Sequence, residues 1–435
     1  MRIPRGSLAP LASPAFRRYL LAATIISICL WTYQTSVTWT LLTQTGSAAS
    51  VSLLQTLMTV PLPLAMLPAG LLTDRFGSRP MMLMAIAGYT LAVGLTGIFV
   101  LGDAVPVAGV LALGFLLGCF DALNVVAAPV FVGRSVPPGQ MAAAIGLSAL
   151  NVGLGRILGG ALGGAVVSAF GPSAALLPAT GGLVMAMAVV ATLPRLGGAD
   201  SAIRWRFGDV VAAMGWARRT PVAIALLMLG ATVALFLAGY VVLLPVVARD
   251  LLGAGPAQLG LLTASGGAGV IAAAFLIDPI GRRLGRGRTI IASLAVASLL
   301  LAVLAAVRIL PASALTVGLL AGAASTFSAT TNLLLQSLAP PNLRGRAVAL
   351  YGLVYYSLQP IGLFGAGVAA DGLGVAAVLA VMGACALAAG GAIAIGSRVL
   401  LSTTIPAERP QGAAAEENDT RPTATPVDAT IATEP

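Results

Sequence analysis

The sequence predicts an all-α membrane protein of about 12 transmembrane helices arranged as two six-helix halves. Its 435 residues are 58% hydrophobic and only 9% charged. A soluble globule of that composition would leave large apolar patches in water, whereas a lipid bilayer is itself an apolar solvent. Long apolar runs then give the number of helices, and an internal repeat gives their grouping.

Twelve apolar runs are long enough to cross a bilayer, which takes roughly 20 residues. The predicted spans are residues 18–42, 51–72, 80–101, 105–131, 141–170, 172–193, 221–247, 257–277, 289–308, 311–338, 347–370 and 374–400. The first run is long and lacks a small-residue cleavage site, so we expect a retained helix and not a cleaved signal peptide.

The basic residues lie in alternate loops between these spans. They precede the first span and follow the second, fourth, sixth, eighth and tenth, while the opposite loops hold only Arg249 and Arg308. A formal net charge of +10 alone would suit nucleic acid, but this alternation is the positive-inside pattern. All 24 basic residues are arginine, which indicates a high-GC bacterial genome. We therefore expect a multi-pass protein of the bacterial cytoplasmic membrane, with both termini cytosolic and no nucleic-acid partner.

Two stretches recur at an offset of about 204 residues. Residues 74–77 after the second span are echoed by residues 278–281 after the eighth, and residues 135–138 by residues 338–341. Parallel halves of this kind surround a midplane substrate site in transporters. The predicted organisation is a cytosolic N-terminus at 1–17, a six-helix bundle at 18–193, a linker at 194–220, a second bundle at 221–400 and a tail at 401–435.

The linker and the tail differ in composition. The linker mixes arginines with Trp205 and Trp216, which predicts a short interfacial helix on the cytosolic side; a tether without a recognition role is the alternative. The tail is rich in Pro, Thr, Ala and acidic residues, so we expect it to be disordered and cytosolic.

The segment after the second span carries Gly70, Asp74, Arg75, Gly77 and Arg79. It resembles the signature loop of the major facilitator superfamily, G-x-x-x-D-R-x-G-R-[RK], with Ser78 in place of one arginine. The resemblance implies the two-bundle transporter fold and a latch that holds one gating conformation.

A carboxylate at a helix end can cap free N–H groups and pair with a cation. We therefore expect Asp74 to pair with Arg134, and Asp278 with Gly281 to form the repeat of the segment. A simple topology signal is the alternative reading of the segment.

A glycine run in the fifth span comprises Gly155, Gly159, Gly160, Gly163 and Gly164. It resembles the exporter motif of the same superfamily, G-x-x-x-G-P-x-x-G-G, with Gly160 where proline is expected. Together with residues 14–19, 127–129 and 137–138 it looks like the macrolide and siderophore efflux branch. Glycines four residues apart let helices approach closely, so ordinary tight packing is the alternative.

Two ionisable residues lie deep in the predicted spans, where such groups are expensive and mark functional sites. Asp121 is in the fourth span and Arg156 in the fifth, and they could pair. A carboxylate whose surroundings alternate between apolar burial and a nearby arginine changes its proton affinity, so we expect Asp121 to carry the coupled proton. The alternatives are a static structural ion pair and a helix-packing role like that of an asparagine.

Polar and aromatic residues within the spans are candidates to line a cavity for a bulky amphipathic molecule. They are Trp31, Gln34, Gln55, Asn124, Asn151, Asn332, Gln336, Tyr355 and Gln359. The chain has no histidine, no cysteine cluster and no phosphate-binding glycine loop with lysine, so no metal, cofactor or enzymatic activity is expected.

These features predict a proton-coupled exporter of a drug-like molecule or secondary metabolite, for example a macrolide or siderophore. Its expected partners are the small-molecule substrate, protons and the lipid bilayer, and we expect a monomer. A metabolite importer of the same fold and a non-transporting membrane scaffold or sensor remain alternatives.

Overall fold

The computed structural model describes residues 8–102, 106–196, 207–341 and 343–397. Within these ranges the chain is helical and contains no strand. The predicted disordered tail lies outside the described residues.

Fifteen α-helices make up the described fold. They are α1 Pro14–Thr45, α2 Ala48–Thr59, α3 Pro61–Phe76, α4 Ser78–Phe99, α5 Val107–Ser135, α6 Met141–Phe170, α7 Pro172–Ala191, α8 Phe207–Arg219, α9 Pro221–Thr232, α10 Tyr240–Val246, α11 Pro256–Leu284, α12 Arg286–Ala306, α13 Leu310–Leu338, α14 Arg344–Leu373 and α15 Val375–Gly396.

Twelve of the described segments are long and apolar enough to cross a membrane, which confirms the predicted number. The second span joins α2 to α3 through Val60, where Pro61 begins a new helix. The seventh consists of α9 and α10, and a π-helical segment follows each of them, Val233–Leu237 and Val247–Leu251.

The two repeated segments predicted as loops lie mostly within helices, which corrects their assignment. Asp74 belongs to the last turn of α3, and the chain turns only at Gly77, whose φ is +88°. Residues 278–281 belong to α11, which continues to Leu284 and ends at Gly285 with φ +80°. Charged side chains end the apolar run but do not interrupt the backbone hydrogen bonds of the helix. Each helix therefore continues beyond the end of its apolar segment.

The spans form two groups of six, α1–α7 and α9–α15, and α8 lies between them in the chain. Across the groups, α6 packs along α11 and α14 packs along α2. The helix α8 confirms a short helix in the linker, while its place at the membrane interface stays a prediction.

The helix ends define two faces of the bundle. We call the face with the α3–α4 and α11–α12 turns the arginine-rich face, and the face with the α1–α2 and α14–α15 turns the arginine-poor face. The arginine distribution predicts that the arginine-rich face is cytosolic.

Candidate functional site

A carboxylate lies midway along α5, where a neighbouring phenol binds it. The Tyr89 hydroxyl of α4 donates a 2.6 Å hydrogen bond to Oδ1 of Asp121, and Tyr89 is fully buried. The preceding residues bring the two helices together, because the ring of Phe120 occupies the space where a Cβ on Gly88 would lie. Tyr89 is not among the residues predicted from the sequence. The feature that indicates it is a tyrosine at the same depth as Asp121 in α4, the helix that runs antiparallel to α5.

A tyrosine on α14, in the second half, lies near this carboxylate. The charge of Asp121 is close enough to Tyr356 to interact with its hydroxyl. The ring of Tyr355 packs edge-on against that of Tyr356 with centroids 5.4 Å apart, and it stacks on Tyr351 at 6.4 Å. A cluster of three aromatic rings therefore reaches the carboxylate through Tyr356.

The other deep charge, Arg156, lies midway along α6 between α1 and α11. Its side chain is 7% exposed, and its guanidinium carbon lies 5.0 Å from the ring centroid of Trp31 on α1. Nε and Nη2 are buried without a hydrogen-bond partner. The guanidinium packs on Gly266 of α11, where a Cβ would lie 2.5 Å from Nη2. A buried cation whose one partner among the described residues is an aromatic ring keeps unused capacity to bind an anion or a strong acceptor.

Asp121 and Arg156 form no salt bridge with each other, although both belong to the described part of the chain, so the expected pair is not formed in this structure. Their helices are neighbours in sequence but pack on different partners. The helix α5 packs chiefly against α4 and α3, whereas α6 packs chiefly against α1 and α11. The two charges therefore occupy separate environments at a similar depth.

One face of the glycine run packs against α1. Gly155 lies against Ser27, and Gly159 lies against the carbonyl of Ile28. A Cβ on Gly163 would be 3.1 Å from the backbone of Thr32, whose hydroxyl donates to the carbonyl of Gly159 at 3.1 Å. Residues spaced by four share one helix face, so these three glycines form one seam.

The adjacent face of the run packs against α11. A Cβ on Gly160 would lie 2.8 Å from Thr263, and Gly164 lies against the carbonyl of Pro256. The close approach is reciprocal, because a Cβ on Gly260 of α11 would lie 2.6 Å from the carbonyl of Gly160. The run therefore lies at the boundary between the two halves.

The signature segment makes contacts within the first half. Arg79 donates to the carbonyl of Ala191 at the end of α7, and Arg75 lies over the ring of Phe76, 5.3 Å from its centroid. Asp74 is half-buried and has no hydrogen bond or ion pair with any described residue, so the expected pair with Arg134 is not formed in this structure.

The repeat of the segment is open to its surroundings. Asp278 is exposed, and no atom lies near the Cβ position of Gly281. Gly70 is half-buried within α3. In this conformation Asp278 is therefore open to solvent, whereas Asp74 is half-buried.

The predicted cavity residues occupy different environments. Trp31, Gln34, Gln55, Asn124, Asn332, Tyr355 and Gln359 are half-buried, Asn151 is buried, and Gln336 is exposed. Asn332 donates to the carbonyl of Ser328 at 3.0 Å, so its amide is already used within α13. The structure does not gather all nine into one pocket.

A cavity of about 330 Å³ lies elsewhere, at the arginine-poor face. Trp39, Gln44, Ser168 and Pro256 are among its lining residues, and none of the nine predicted residues lines it. It opens where α1, α6 and α11 end or begin, far along each helix from Asp121. Within the described ranges, no three His, Cys, Asp or Glu side chains are grouped to hold a metal ion.

The sequence matches the family described as transmembrane secretion effectors, within the major facilitator class, over residues 5–420. The multidrug efflux pump Tap of Mycolicibacterium fortuitum is 27% identical over 350 residues, covering 77% of this chain and 84% of that protein.

Two proteins of known structure share the fold. A bacterial homologue of the human lysosomal transporter Spinster, inward-facing and unoccupied, has a TM-score of 0.70 at 15% identity and covers 91% of this chain and 99% of its own. A mutant of the nucleoside transporter NupG has a TM-score of 0.71 at 10% identity, covering 88% and 99%. The match along nearly the whole sequence places the chain in the transmembrane secretion effector family of the major facilitator superfamily.

Proposed function

We propose that the protein is a proton-coupled exporter of small amphipathic molecules that works by alternating access. The observation that carries the proposal is the carboxylate of Asp121, held midway through the membrane by a neutral phenol and by no cation among the described residues. The family match and the likeness to a multidrug efflux pump support the export direction.

The surroundings of Asp121 suit reversible protonation. Asp121 is half-buried. Partial loss of water makes an ionised carboxylate costly, and one charge-assisted hydrogen bond from Tyr89 offsets only part of that cost. Taking up a proton removes the charge, and the neutral acid keeps a hydrogen bond to the same phenol. Because Tyr356 belongs to the other half, rocking of the halves changes the polar groups around Asp121 and with them its affinity for the proton.

The substrate side of the proposal rests on the aromatic groups at the same depth. The tyrosines of α14 offer stacking surfaces, and Arg156 over Trp31 offers a buried donor group. A ligand with a flat apolar body and one or two polar groups matches this combination. Macrolides, siderophores and planar dyes are therefore the substrates to assay.

The test compares uphill transport with exchange in energised everted membrane vesicles. Ethidium is the first probe, followed by erythromycin and a catecholate siderophore. We expect Asp121→Asn to reduce uphill accumulation at least about tenfold, since no carboxylate remains to bind the proton, while probe exchange without a gradient persists. Asp121→Glu should keep part of the uphill activity, and Cys119→Ser on the same helix should keep all of it.

The outcomes separate the alternatives. Full uphill accumulation by Asp121→Asn would remove the proton-carrier role. Accumulation only in right-side-out vesicles would favour the importer. No movement of any probe in either orientation would favour the scaffold or sensor.

A further inference from the structure

A carboxylate of the second half caps a helix of the first half at the arginine-poor face. Asp371, in the last turn of α14, accepts a hydrogen bond from the Ser47 hydroxyl at 2.5 Å. It also accepts from the backbone N–H of Ala48 at 2.6 Å and of Ala49 at 3.1 Å. These residues are the N-cap and first turn of α2.

The first N–H groups of a helix lack partners within the helix, and they form the positive end of its dipole. A side chain of the same helix usually supplies the cap. Here the Ser47 hydroxyl accepts from Ser50 N–H at 3.2 Å, and Asp371 supplies the remaining acceptors from another part of the chain. The cap therefore depends on the contact between the halves.

A cation of the second half meets the neighbouring helix end. Arg249, at the end of the seventh span, donates through Nη1 to the carbonyl of Leu42 and through Nη2 to that of Gly46, each at 3.3 Å. These carbonyls belong to the C-terminal end of α1, the negative end of its dipole. Asp250 holds the guanidinium through Nε at 2.5 Å.

The turn between α1 and α2 thus offers a negative and a positive helix end side by side. The second half meets each end with the opposite charge. We propose that Asp371 and Arg249 form a latch on the α1–α2 turn that holds the halves together at the arginine-poor face, and that its release opens this face during transport.

The opposite face is consistent with this assignment. The signature carboxylate Asp74, at the arginine-rich face, has no partner among the described residues. In one end state of alternating access, the halves are bonded to each other at one face and separated at the opposite face. The bonds at the arginine-poor face and, among the described residues, the unpaired Asp74 at the arginine-rich face match this pattern.

Distances between pairs of spin labels, measured by double electron–electron resonance in the purified full-length protein, test the latch. The labels replace Leu101 and Ile309, which are exposed at the arginine-poor face in opposite halves. A second pair replaces Phe76 and Leu284 at the arginine-rich face. The background has its native cysteines changed to serine.

We expect Asp371→Ala and Arg249→Gln each to raise the ratio of long to short Leu101–Ile309 distances about tenfold, because a cap and a charge–dipole contact are lost. The Phe76–Leu284 distances should shorten in the same samples. Asp371→Asn, which keeps an acceptor oxygen, should give a smaller shift. The control Thr43→Ala removes a hydroxyl near the α1–α2 turn that, among the described residues, bonds only to carbonyls of α1, and it should leave the ratio unchanged.

Unchanged distances in both Asp371→Ala and Arg249→Gln would overturn the latch, as would an equal shift in Thr43→Ala. Lengthening at both faces would show loosened folding and would also count against it. The latch rests on the fold and not on the proposed substrate or proton, because the distances are measured without either. Its failure is therefore distinguishable from failure of the proposed function.

Discussion

Two crossings join the halves at equivalent places in the repeat, α6 on α11 and α14 on α2, and their chemistry differs. Gly164 of α6 and Gly367 of α14 precede the equivalent helix-ending glycines Gly171 and Gly374 by the same interval. Gly164 lies against the start of α11, and Gly367 lies against Ser52 near the start of α2. The repeat therefore preserves a close approach near the arginine-poor face in both crossings.

The α6–α11 crossing is formed by backbone on backbone. A Cβ on Gly260 or Gly267 would lie 2.6 Å from a carbonyl of α6, and among the described residues no ion pair crosses this contact near Gly164. Such packing depends on shape alone, since small residues gain dispersion contacts without hydrogen-bond partners.

The α14–α2 crossing combines one close glycine with polar contacts. Beside Gly367, the Thr56 hydroxyl donates to the carbonyl of Pro360 at 3.4 Å, and Asp371 caps α2. The comparison shows that close packing holds the α6–α11 crossing together, whereas polar and charged contacts hold the α14–α2 crossing together. Substitutions that add volume should damage the first most, and changes in charge or salt should act on the second.

The largest effect is expected at the shape-dependent crossing. Gly164→Val places side-chain atoms on the carbonyl of Pro256, a backbone atom that cannot move away cheaply. We expect a loss of stability of about 3 kcal/mol, the upper end for overpacking. Thermal unfolding of the detergent-purified protein measures it.

The matched control is Gly146→Ala on the same helix, where no atom lies within 4 Å of the added Cβ. It should be neutral or stabilising, because alanine favours a helix. Equal melting temperatures for Gly164→Val and wild type would mean that this crossing is not tightly packed.

The next effect concerns the second crossing. Gly367→Ala brings a Cβ onto the side chain of Ser52 and to 2.8 Å from the carbonyl of Ala48. We expect about 2 kcal/mol of destabilisation, together with a shift toward long Leu101–Ile309 distances.

Ser52→Gly in the same chain removes one of the two obstacles, so it should recover about half of the loss. Thermal unfolding of the double variant checks this. Purely additive losses would show that Gly367 and Ser52 do not meet.

A smaller effect is expected beneath the buried arginine. Gly266→Ala should displace the guanidinium of Arg156 from its place over Trp31, at a cost of about 1 kcal/mol because a flexible side chain can move. Trp31 fluorescence and the melting temperature follow the change. Arg156→Ala should abolish the effect of Gly266→Ala, and persistence of the full loss in that background would contradict the contact.

The smallest effect separates charge from shape. Asp371 is exposed, so raising the salt concentration to about 1 M should screen its attraction to the N-terminus of α2. We expect the ratio of long to short Leu101–Ile309 distances to rise about twofold. The distance measurement in the Asp371→Ala variant should show a smaller salt response, which comes from the remaining contact of Arg249 with the end of α1. An equal response in that variant would place the sensitivity elsewhere.

Much of this fold could be predicted from the sequence. The fifth span was predicted at the residues that α6 occupies, because prolines precede it and Gly171, with φ +84°, ends it. The predicted spans end before α3 and α11 do. Hydropathy indicates which side chains lie in lipid, but it does not indicate where the backbone hydrogen bonds of a helix stop.

The site was harder to predict. Sequence gives the depth of Asp121 and Arg156 but not the direction in which each side chain points around its helix, so two charges at one depth were expected to pair. The latch was missed for a related reason. Nothing in the sequence marks Asp371, and Arg249 stands out only as an exception to the charge rule, because the partners of both are backbone groups that no residue type indicates.

The central claim is that Asp121 carries the proton that is exchanged for the exported molecule, so that binding of this molecule releases the proton. Its most direct measurement uses purified protein in weakly buffered detergent with a pH-sensitive dye, to which a probe exported by the wild type is added. The account predicts release of about one proton per bound probe from the wild type and none from Asp121→Asn, with probe binding retained in both. Equal proton release from the two proteins would contradict it.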